Sequence, residues 1–208
     1  MNSSDKVLIV GPSWVGDMVM AHALFQSVHS SFSPTPEIHV VAPPWSEPVL
    51  ARMPEVSRAI ELPVEHGKLA FTTRLQLGRR LRSESYKQAI ILPRSLKSAL
   101  VPFFARVPIR TGFRGECRFG LVNDIRPFDK SVLDQTVKRF FALGIDVDDK
   151  GREKIPRPKL KVSTENLARL KVKFGLDEEI AVALMPGAAF GPAKQWPLEY
   201  YADLASRL

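Results

Sequence analysis

The chain has 208 residues, of which 45% are apolar and 25% charged, a composition typical of a globular protein. It contains no apolar run of membrane-spanning length, and its first residues lack the pattern of a signal peptide, so we expect a cytoplasmic protein. Cys117 is the only cysteine, which excludes a disulfide within the chain and argues against a thiolate metal site. The formal net charge of +8 favours an anionic partner such as a nucleotide, a phosphorylated lipid or nucleic acid.

Apolar runs alternate with helical patterns, which predicts an α/β fold with a parallel sheet. The predicted strands are Lys6–Val10, Glu37–Ala42, Arg58–Leu62, Lys87–Leu92 and Ile109–Thr111. The predicted helices are Asp17–Ser31, Leu69–Ser83, Lys97–Arg106 and Leu133–Leu143. Gly144 is the expected C-cap of the last of these helices.

The sequence after the fourth helix indicates a change of domain. Residues 150–162 are charged, contain two prolines and lack periodicity, which predicts a linker. The elements expected beyond it are a helix over Ser163–Phe174 closed by Gly175, a buried strand over Ile180–Met185, and a helix opened by Pro197. One strand and two helices cannot bury a core of their own. These residues therefore either dock on the first domain or begin the rest of a longer protein.

The segment Gly11–Met18 (GPSWVGDM) joins the first predicted strand to the first predicted helix. Ligands bind at such junctions because a helix begins with unpaired backbone N–H groups. Gly11 and Gly16 would let a ligand come close to the backbone. Asp17 is unexpected in a phosphate-binding turn, since its carboxylate repels anions, and it suggests a group that accepts a proton or binds a hydroxyl. The alternative is that Asp17 only caps the helix.

Two loops on the amino-terminal side of the linker are rich in basic residues. After the fourth strand, Ser95, Lys97 and Ser98 could hold an anion at the start of a helix, or could be solvated. The segment Arg110–Arg118 (RTGFRGECR) contains three arginines, whose guanidinium groups suit carboxylates and phosphates. The alternative is a basic surface loop.

A third loop, Pro186–Pro197 (PGAAFGPAKQWP), lies beyond the linker and precedes a predicted helix. Its residues Gly187, Gly191 and Lys194 suit a phosphate group, although the order of residues is not that of a Walker A loop. Asp146–Asp149 contains an Asp-x-Asp pattern, but it follows a helix, so we expect a solvated acidic turn. The histidines show no metal-ligand spacing, and His22 is expected to pack or to lie at the surface.

Four blocks together resemble the ADP-heptose:lipopolysaccharide heptosyltransferases of glycosyltransferase family 9, and the resemblance runs through essentially the whole chain. The blocks are residues 11–18, 92–104, 110–116 and 186–197. The resemblance implies a GT-B fold, in which two Rossmann-like domains face each other across a cleft. Residues 1–159 would form the acceptor-binding domain, and residues 160–208 the incomplete beginning of the donor domain.

The implied reaction is an inverting transfer of heptose from ADP-heptose onto the heptose/Kdo inner core of lipopolysaccharide, with no cofactor and no metal. Asp17 matches the general base, and Lys194 matches the lysine that neutralises the donor diphosphate beside Gly187 and Gly191. The acceptor-side positions are Ser13, Trp14, Ser95, Lys97 and Arg114. The implied partners are ADP-heptose, Kdo-lipid A bearing heptose, and the inner face of the cytoplasmic membrane, which the protein would contact peripherally. Nucleic acid is not an expected partner.

Two departures from the family qualify this expectation. Ala189 stands where relatives often carry a carboxylate or hydroxyl near the donor. The family also continues well beyond the length of this chain, and that part carries most of the adenosine site, so we expect little or no transfer by the 208 residues alone.

Two other classes of function remain open from the sequence. A dehydrogenase-like nucleotide enzyme lacks support, because the first loop is not Gly-x-Gly-x-x-Gly and no acidic residue ends the second strand. A non-catalytic module could bind anionic glycolipid or nucleic acid through a basic surface, but aromatic residues are only 9% and do not alternate with the basic clusters. Asp17→Asn would separate these classes, since only an enzyme would lose turnover while keeping its ligand.

Overall fold

The computed structural model describes residues 5–31, 33–65, 67–145, 154–176, 182–188 and 191–208. The chain divides into two compact units, Met1–Val162 and Ser163–Leu208.

The first unit is built on a parallel sheet, which confirms the predicted α/β class. Its described strands are β1 (Lys6–Val10), β2 (Glu37–Ala42), β3 (Val56–Glu61), β4 (Gln88–Ile91), β5 (Ile109–Phe113) and β6 (Asp124–Arg126). The strand order is β3-β2-β1-β4-β5-β6. The direction of the strand order therefore reverses beside β1, which pairs with β2 on one side and β4 on the other.

Helices cover both faces of this sheet. They are α1 (Val15–Ser31), α2 (Glu47–Leu50), α3 (Phe71–Arg80), α4 (Leu100–Phe104) and α5 (Thr136–Phe141). On one face α1, α2 and α5 bury an apolar cluster that includes Phe25, Leu50 and Phe140. On the other face α3 and α4 bury Leu77 and Val101 against the sheet. Removal of this apolar surface from water is the main driving force for the layered arrangement.

The sequence predicted that Gly144 caps the fourth helix, and this role was wrong. α5 ends at Phe141, three residues before Gly144. Gly144 does not have a positive φ, so it is not a left-handed C-cap. A Cβ atom at Gly144 would lie 2.3 Å from Leu24 Cδ1 and 3.1 Å from Val28 Cγ2 on α1. Glycine is needed there because the chain passes close to α1.

Residues 157–161, near the end of the first unit, are hydrogen-bonded to α1 and to the residues that follow α2. The backbone N–H of Lys159 donates to Nδ1 of His22 at 3.1 Å, and the other ring nitrogen of His22 lies 2.7 Å from Oε2 of Glu55. Because Nδ1 accepts a hydrogen bond, the ring proton belongs on Nε2 and points at Glu55. Gln26 donates to the carbonyl of Arg157, and the N–H of Lys161 donates to the carbonyl of Arg52. His22 is buried, so the expected packing role is confirmed.

The second unit contains two described helices, α6 (Thr164–Phe174) and α7 (Leu198–Arg207). Ser163 caps α6 by accepting the N–H of Asn166 at 3.2 Å, and Gly175 ends it with a φ of 64°. Pro197 occupies the N-cap position of α7 rather than its first helical residue, which corrects the prediction.

The structure shows no strand in the described part of the segment Ile180–Met185, where one was predicted. Residues 182–185 have no strand pairing, and residues 180 and 181 lie outside the described residues. A strand needs a hydrogen-bonded neighbour, and no strand of the described second unit offers one.

Among the described residues, no helix combines the length and apolar character needed to cross a lipid bilayer.

Candidate functional site

The residues singled out in the first unit follow the carboxyl ends of neighbouring strands. Gly11–Trp14 follow β1, and Leu92–Lys97 follow β4. β1 and β4 are adjacent, at the place where the strand order reverses. In open parallel sheets the loops diverge at this point and leave a crevice for a ligand.

One cleft of about 340 Å³ opens between these loops and α5, and we call it the Asp17 cleft. Its lining residues are Pro12, Ser13, Trp14, Asp17, Leu92, Pro93, Arg94, Phe113, Phe128, Thr136, Arg139 and Phe140. α1 begins at Val15, and the N–H of Met18 closes its first turn on the carbonyl of Trp14 at 2.9 Å. Asp17 therefore lies inside the first turn and is not the N-cap. A carboxylate there is stabilised by the positive end of the helix dipole.

Gly11 is closely packed inside the protein, whereas Gly16 has open space around it. A Cβ atom at Gly11 would lie 2.9 Å from Met18 Cε and 3.3 Å from Val40 Cγ1, so this buried glycine allows tight packing inside the protein. A Cβ atom at Gly16 would meet nothing within 4 Å. Internal packing, and not the approach of a ligand, accounts for Gly11.

Two arginines in the Asp17 cleft contact the ring of the same phenylalanine, Phe128. The guanidinium carbon of Arg94 lies 4.6 Å from the ring centroid of Phe128, and that of Arg139 lies 5.6 Å from it. Arg139 is oriented by donating to the carbonyls of Leu133 at 2.8 Å and Asp134 at 3.0 Å. A guanidinium that stacks on a ring can still donate from its remaining N–H groups to a carboxylate or phosphate.

Sequence reasoning missed Arg139 and Phe128, since neither belongs to a motif and they reach Arg94 only through the fold. A basic residue on a helix predicted to pack against the sheet was the one signal available for Arg139.

The loops after β4 and β5 are locked together next to this cleft. A Cβ atom at Gly115 would lie 2.0 Å from the carbonyl oxygen of Arg94, so only glycine fits there. Arg94 Nε donates to the carbonyl of Arg114 at 3.1 Å, and the N–H of Glu116 donates to the carbonyl of Arg94 at 3.2 Å. The carboxylate of Glu116 in turn accepts the N–H of Leu96 at 2.8 Å. The position expected for a bound anion at this helix start is thus occupied by the protein's own carboxylate.

A second cleft of about 320 Å³, the Lys97 cleft, adjoins the first through Ser13 and Pro93. Ser95 and Lys97 line it, as do Arg74 from α3 and the carboxylates Glu65 and Glu116. The hydroxyl of Ser98 donates to the carbonyls of Ser95 and Pro93, so this side chain braces the loop. Of the residues expected to bind an anion here, Lys97 provides the cationic group.

The three arginines of segment 110–118 have different roles. Arg110 donates to the carbonyls of Val107, Gly120 and Leu121, and the buried Arg118 donates to those of Pro93 and Phe113. Burial lowers the pKa of both side chains. These two arginines are structural braces, contrary to the idea that all three bind a ligand.

Arg114 is exposed and faces a third cleft of about 590 Å³, together with Arg94 and Arg126. This cleft shares Arg94 and Phe128 with the Asp17 cleft. The residues Ser13, Trp14, Asp17, Ser95, Lys97 and Arg114 therefore all lie along one edge of the sheet.

The predicted phosphate loop belongs to the second unit. Gly191 has a φ of 78°, a conformation that requires glycine, and it precedes a 3₁₀ turn, Pro192–Lys194. Lys194 is exposed, and its N–H donates to the carbonyl of Gly191 at 3.1 Å. Gly187 does not have a positive φ, and a Cβ atom there would meet nothing within 4 Å.

Ala189 and the acidic turn Asp146–Asp149 lie outside the described residues. Within the described ranges, no group of three or more His, Cys, Asp or Glu side chains is arranged to hold a metal ion.

Comparison with known proteins finds one matching family. The family model described as glycosyltransferase family 9 (heptosyltransferase) matches residues 74–208. The chain is 45% identical to lipopolysaccharide heptosyltransferase 2 of Escherichia coli (strain K12), covering 98% of this chain and 60% of that protein. It is also 45% identical to lipooligosaccharide heptosyltransferase 2 of Haemophilus influenzae, with the same coverage. The chain therefore spans about 60% of the length of the curated relatives it matches.

Solved structures give the same result. The structure of E. coli ADP-heptose lps heptosyltransferase II matches with a TM-score of 0.83 and 42% identity, over 97% of this chain and 60% of that one. A glycosyl transferase family 9 protein from Veillonella parvula matches with a TM-score of 0.80 over the whole chain and 61% of its own. At 15% identity, this second match shows the fold alone.

Proposed function

This chain belongs to glycosyltransferase family 9, and from that membership we propose that the whole protein transfers a heptose from ADP-heptose to the inner core of lipopolysaccharide. The observation that carries the proposal is the position of Asp17 in a cleft with Arg94 and Arg139, at the reversal point of the sheet. An acid and two arginines that line the same cleft suit an acceptor that combines hydroxyl groups with anionic groups.

In the proposed reaction Asp17 is the general base. Its carboxylate takes the proton of the acceptor hydroxyl while that oxygen forms a bond to the anomeric carbon of the donor. The bond between the anomeric carbon and the diphosphate oxygen breaks, and ADP leaves with the electron pair. One displacement with one base inverts the configuration at the anomeric carbon, as in inverting glycosidases.

The acceptor is proposed to be Kdo-lipid A that already bears a heptose. Its carboxylates and phosphates match the guanidinium groups of Arg94, Arg114 and Arg139, and Lys97 supplies a further cation in the adjoining cleft. Ser13 and Trp14 would contact the sugar next to Asp17. The formal net charge of +8 agrees with an anionic acceptor.

The donor side is proposed to use the loop of the second unit. Lys194, next to Gly187 and Gly191, would neutralise the charge that develops on the leaving diphosphate, which lowers the barrier where that charge appears. This role needs no metal ion or cofactor.

We further propose that the protein works at the cytoplasmic face of the inner membrane, because its lipid acceptor is made there.

The test is a transfer assay with the full-length protein, ADP-heptose and an inner-core acceptor that carries a single heptose. We expect the acceptor to gain the mass of one heptose while ADP is released. A protein that binds the acceptor without releasing ADP would instead be a non-catalytic glycolipid-binding module, and tight binding of NADH would favour the dehydrogenase-like class.

A further inference from the structure

An exposed cluster of aromatic rings lies on the face of the first unit formed by α3 and α4. Phe71 on α3 and Phe103 on α4 keep 48% and 40% of their surface exposed. Each ring meets Phe104 edge to face, with centroids 5.5 Å apart. Leu69 and Ile109, which flank the two helices in sequence, are exposed at 50% and 48%. Large apolar side chains that cluster at a surface indicate a partner.

The two helices form one continuous surface because Gly78 lets them touch. A Cβ atom at Gly78 would lie 2.5 Å from Cβ of Phe104 and 2.8 Å from the carbonyl oxygen of Val101. Arg82 extends the contact by donating from Nε to the carbonyl of Phe104 at 2.8 Å. The aromatic cluster is therefore held on a fixed support.

Arginines accompany the cluster on the same part of the chain. The guanidinium carbon of Arg110 lies 5.7 Å from the ring centroid of Phe103. Arg79, Arg80 and Arg106 are exposed on the same two helices or directly after them. We call this surface the basic aromatic face and define it by Phe71, Arg79, Arg80, Phe103 and Arg106.

Acidic residues are almost absent from this part of the chain. Between Gly67 and Gly115 the sequence contains eleven lysines and arginines and one acidic residue, Glu84. Glu84 is paired with Lys6 at 2.7 Å and with Arg58 at 2.9 Å. The basic aromatic face is thus positive without an acidic counterpart on the same helices.

We infer that the basic aromatic face docks the protein on an anionic phospholipid bilayer. Arginines attract the negative headgroups, and aromatic rings insert at the boundary between headgroups and acyl chains. The choice of a bilayer rests on the proposed function, whose acceptor is a membrane lipid. Arg74 on α3 lines the Lys97 cleft, so the helix that carries Phe71 also borders the proposed acceptor site.

The geometry of the rings favours lipid over nucleic acid. Proteins that bind single strands present separate aromatic faces on which bases stack. Here Phe104 packs edge to face with both Phe71 and Phe103, and the guanidinium group of Arg110 lies over the ring of Phe103. An edge-to-face neighbour or a guanidinium group over a ring leaves less ring face for a base to stack on, whereas partly exposed rings can still enter a lipid interface.

The experiment is sedimentation of the protein with two kinds of vesicle, one of phosphatidylcholine alone and one of equal parts phosphatidylcholine and phosphatidylglycerol. We expect binding to the second kind only. Arg79→Gln with Arg80→Gln should weaken this binding about 25-fold, at about fivefold for each charge near the surface. Phe71→Ser with Phe103→Ser should weaken it by a further factor of about ten. Because the arginines are exposed, their replacement tests the inference even if the phenylalanine variant fails to fold.

The matched control is Lys159→Gln with Lys161→Gln, which also removes two exposed positive charges. The inference is overturned if this pair weakens binding as much as the arginine pair, or if both kinds of vesicle bind equally. If the protein binds a short single-stranded oligonucleotide but no vesicle, and the arginine pair weakens that binding, the surface would be assigned to nucleic acid instead. Vesicle binding is measured without any sugar substrate, so a failed transfer assay leaves its result intact. In the full-length protein, transfer to a deacylated, water-soluble acceptor should be unchanged by the arginine pair.

Discussion

The carboxylate of Glu116 accepts the backbone N–H of Leu96 at 2.8 Å, so the helix start after β4 carries its own internal anion. This contact joins the loop after β5 to the loop after β4, and both loops line the candidate site. Because the backbone N–H of Leu96 is already bonded, the proposed contacts to an anionic ligand here come from the side chains of Lys97, Arg94 and Arg114. The anionic groups of a ligand would be bound by side chains that project from a rigid pair of loops.

The role of Asp17 can be tested by Asp17→Asn in the full-length protein. The amide keeps the size of the side chain but cannot take the acceptor proton, so kcat should fall about 10²–10⁴-fold. The affinity for the acceptor, measured by calorimetry, should stay within a small factor. Glu47→Gln, an exposed acid in the first turn of α2, is the matched control and should keep full turnover. A kcat within twofold of the unchanged protein would remove Asp17 from the mechanism.

Arg94 and Arg139 are expected to bind the same anionic group of the acceptor. Each change to Gln should raise KM about tenfold, in line with a lost hydrogen bond between charged partners, while kcat changes less. Both guanidinium groups contact Phe128, so the two changes should not be independent. The double variant should therefore raise KM by less than the product of the two single effects. Lys130→Gln, at an exposed position, serves as control. Full additivity would show that the two arginines act on different groups.

The 208-residue polypeptide by itself should transfer little or no heptose. It spans about 60% of the length of its curated relatives, so the rest of their length has no counterpart in it. Binding of a deacylated acceptor to this polypeptide should nevertheless be measurable, since the Asp17 cleft lies within the first unit. A transfer rate close to that of the full-length protein would contradict this prediction.

Gly78→Ala should lower the free energy of unfolding by about 2 kcal/mol. The new Cβ would lie 2.5 Å from Cβ of Phe104 and 2.8 Å from the carbonyl of Val101, so α3 and α4 must separate. The gain in helix propensity, about 1 kcal/mol, offsets only part of this cost. Gly16→Ala, also in a helix, is the control, because its Cβ meets nothing within 4 Å and should leave stability unchanged or slightly increased. Urea denaturation of both variants measures the difference.

The buried His39 should make the protein less stable in mild acid. Burial lowers the pKa of His39 below its ordinary 6.5, and the nearby charges of Glu84, Arg58, Lys6 and Glu37 have smaller and opposing effects. Burial also raises the pKa of Tyr86, whose hydroxyl is hydrogen-bonded to Nδ1 of His39 at 2.7 Å.

Because the unfolded chain takes up a proton at His39 more readily than the folded one, the contribution to stability is complete above pH 6.5. It is lost as the pH falls below 6.5 through the folded-state pKa. In His39→Gln the free energy of unfolding should fall less steeply between pH 6.5 and the acid range. His29→Gln, at an exposed position, should keep the slope of the unchanged protein. Equal slopes in all three proteins would argue against a titrating His39.

The strands with strong apolar patterns could be predicted closely from sequence, whereas those that depend on a neighbour could not. β1 and β2 have the predicted bounds, since four or five consecutive buried residues of each leave no other arrangement. β6 (Asp124–Arg126) has a single apolar residue, Ile125, and its structure comes from pairing with β5. The converse is the segment before Pro186, which is apolar like a strand but has no neighbouring strand among the described residues.

The candidate site divides in the same way. Asp17, Ser95, Lys97 and Arg114 could be found because strand ends and glycines mark the loops that carry them. Phe128 and Arg139 could not, since their contact with Arg94 is made by the fold between residues far apart in sequence. Nor does the sequence distinguish Arg114, which is exposed, from Arg118, which is buried and used as a brace.

The backbone N–H of Lys159 is bonded to His22, and that of Lys161 to the carbonyl of Arg52. These two bonds indicate where the chain can be joined to another protein. A chimaera that receives the first unit of this chain should keep it through Val162, because a junction at residue 154 would discard those attachments. With the native segment retained, the exchanged part begins at Ser163, whose hydroxyl caps the next helix. Insertions placed between 157 and 161 should be poorly tolerated, even though the side chains there are exposed.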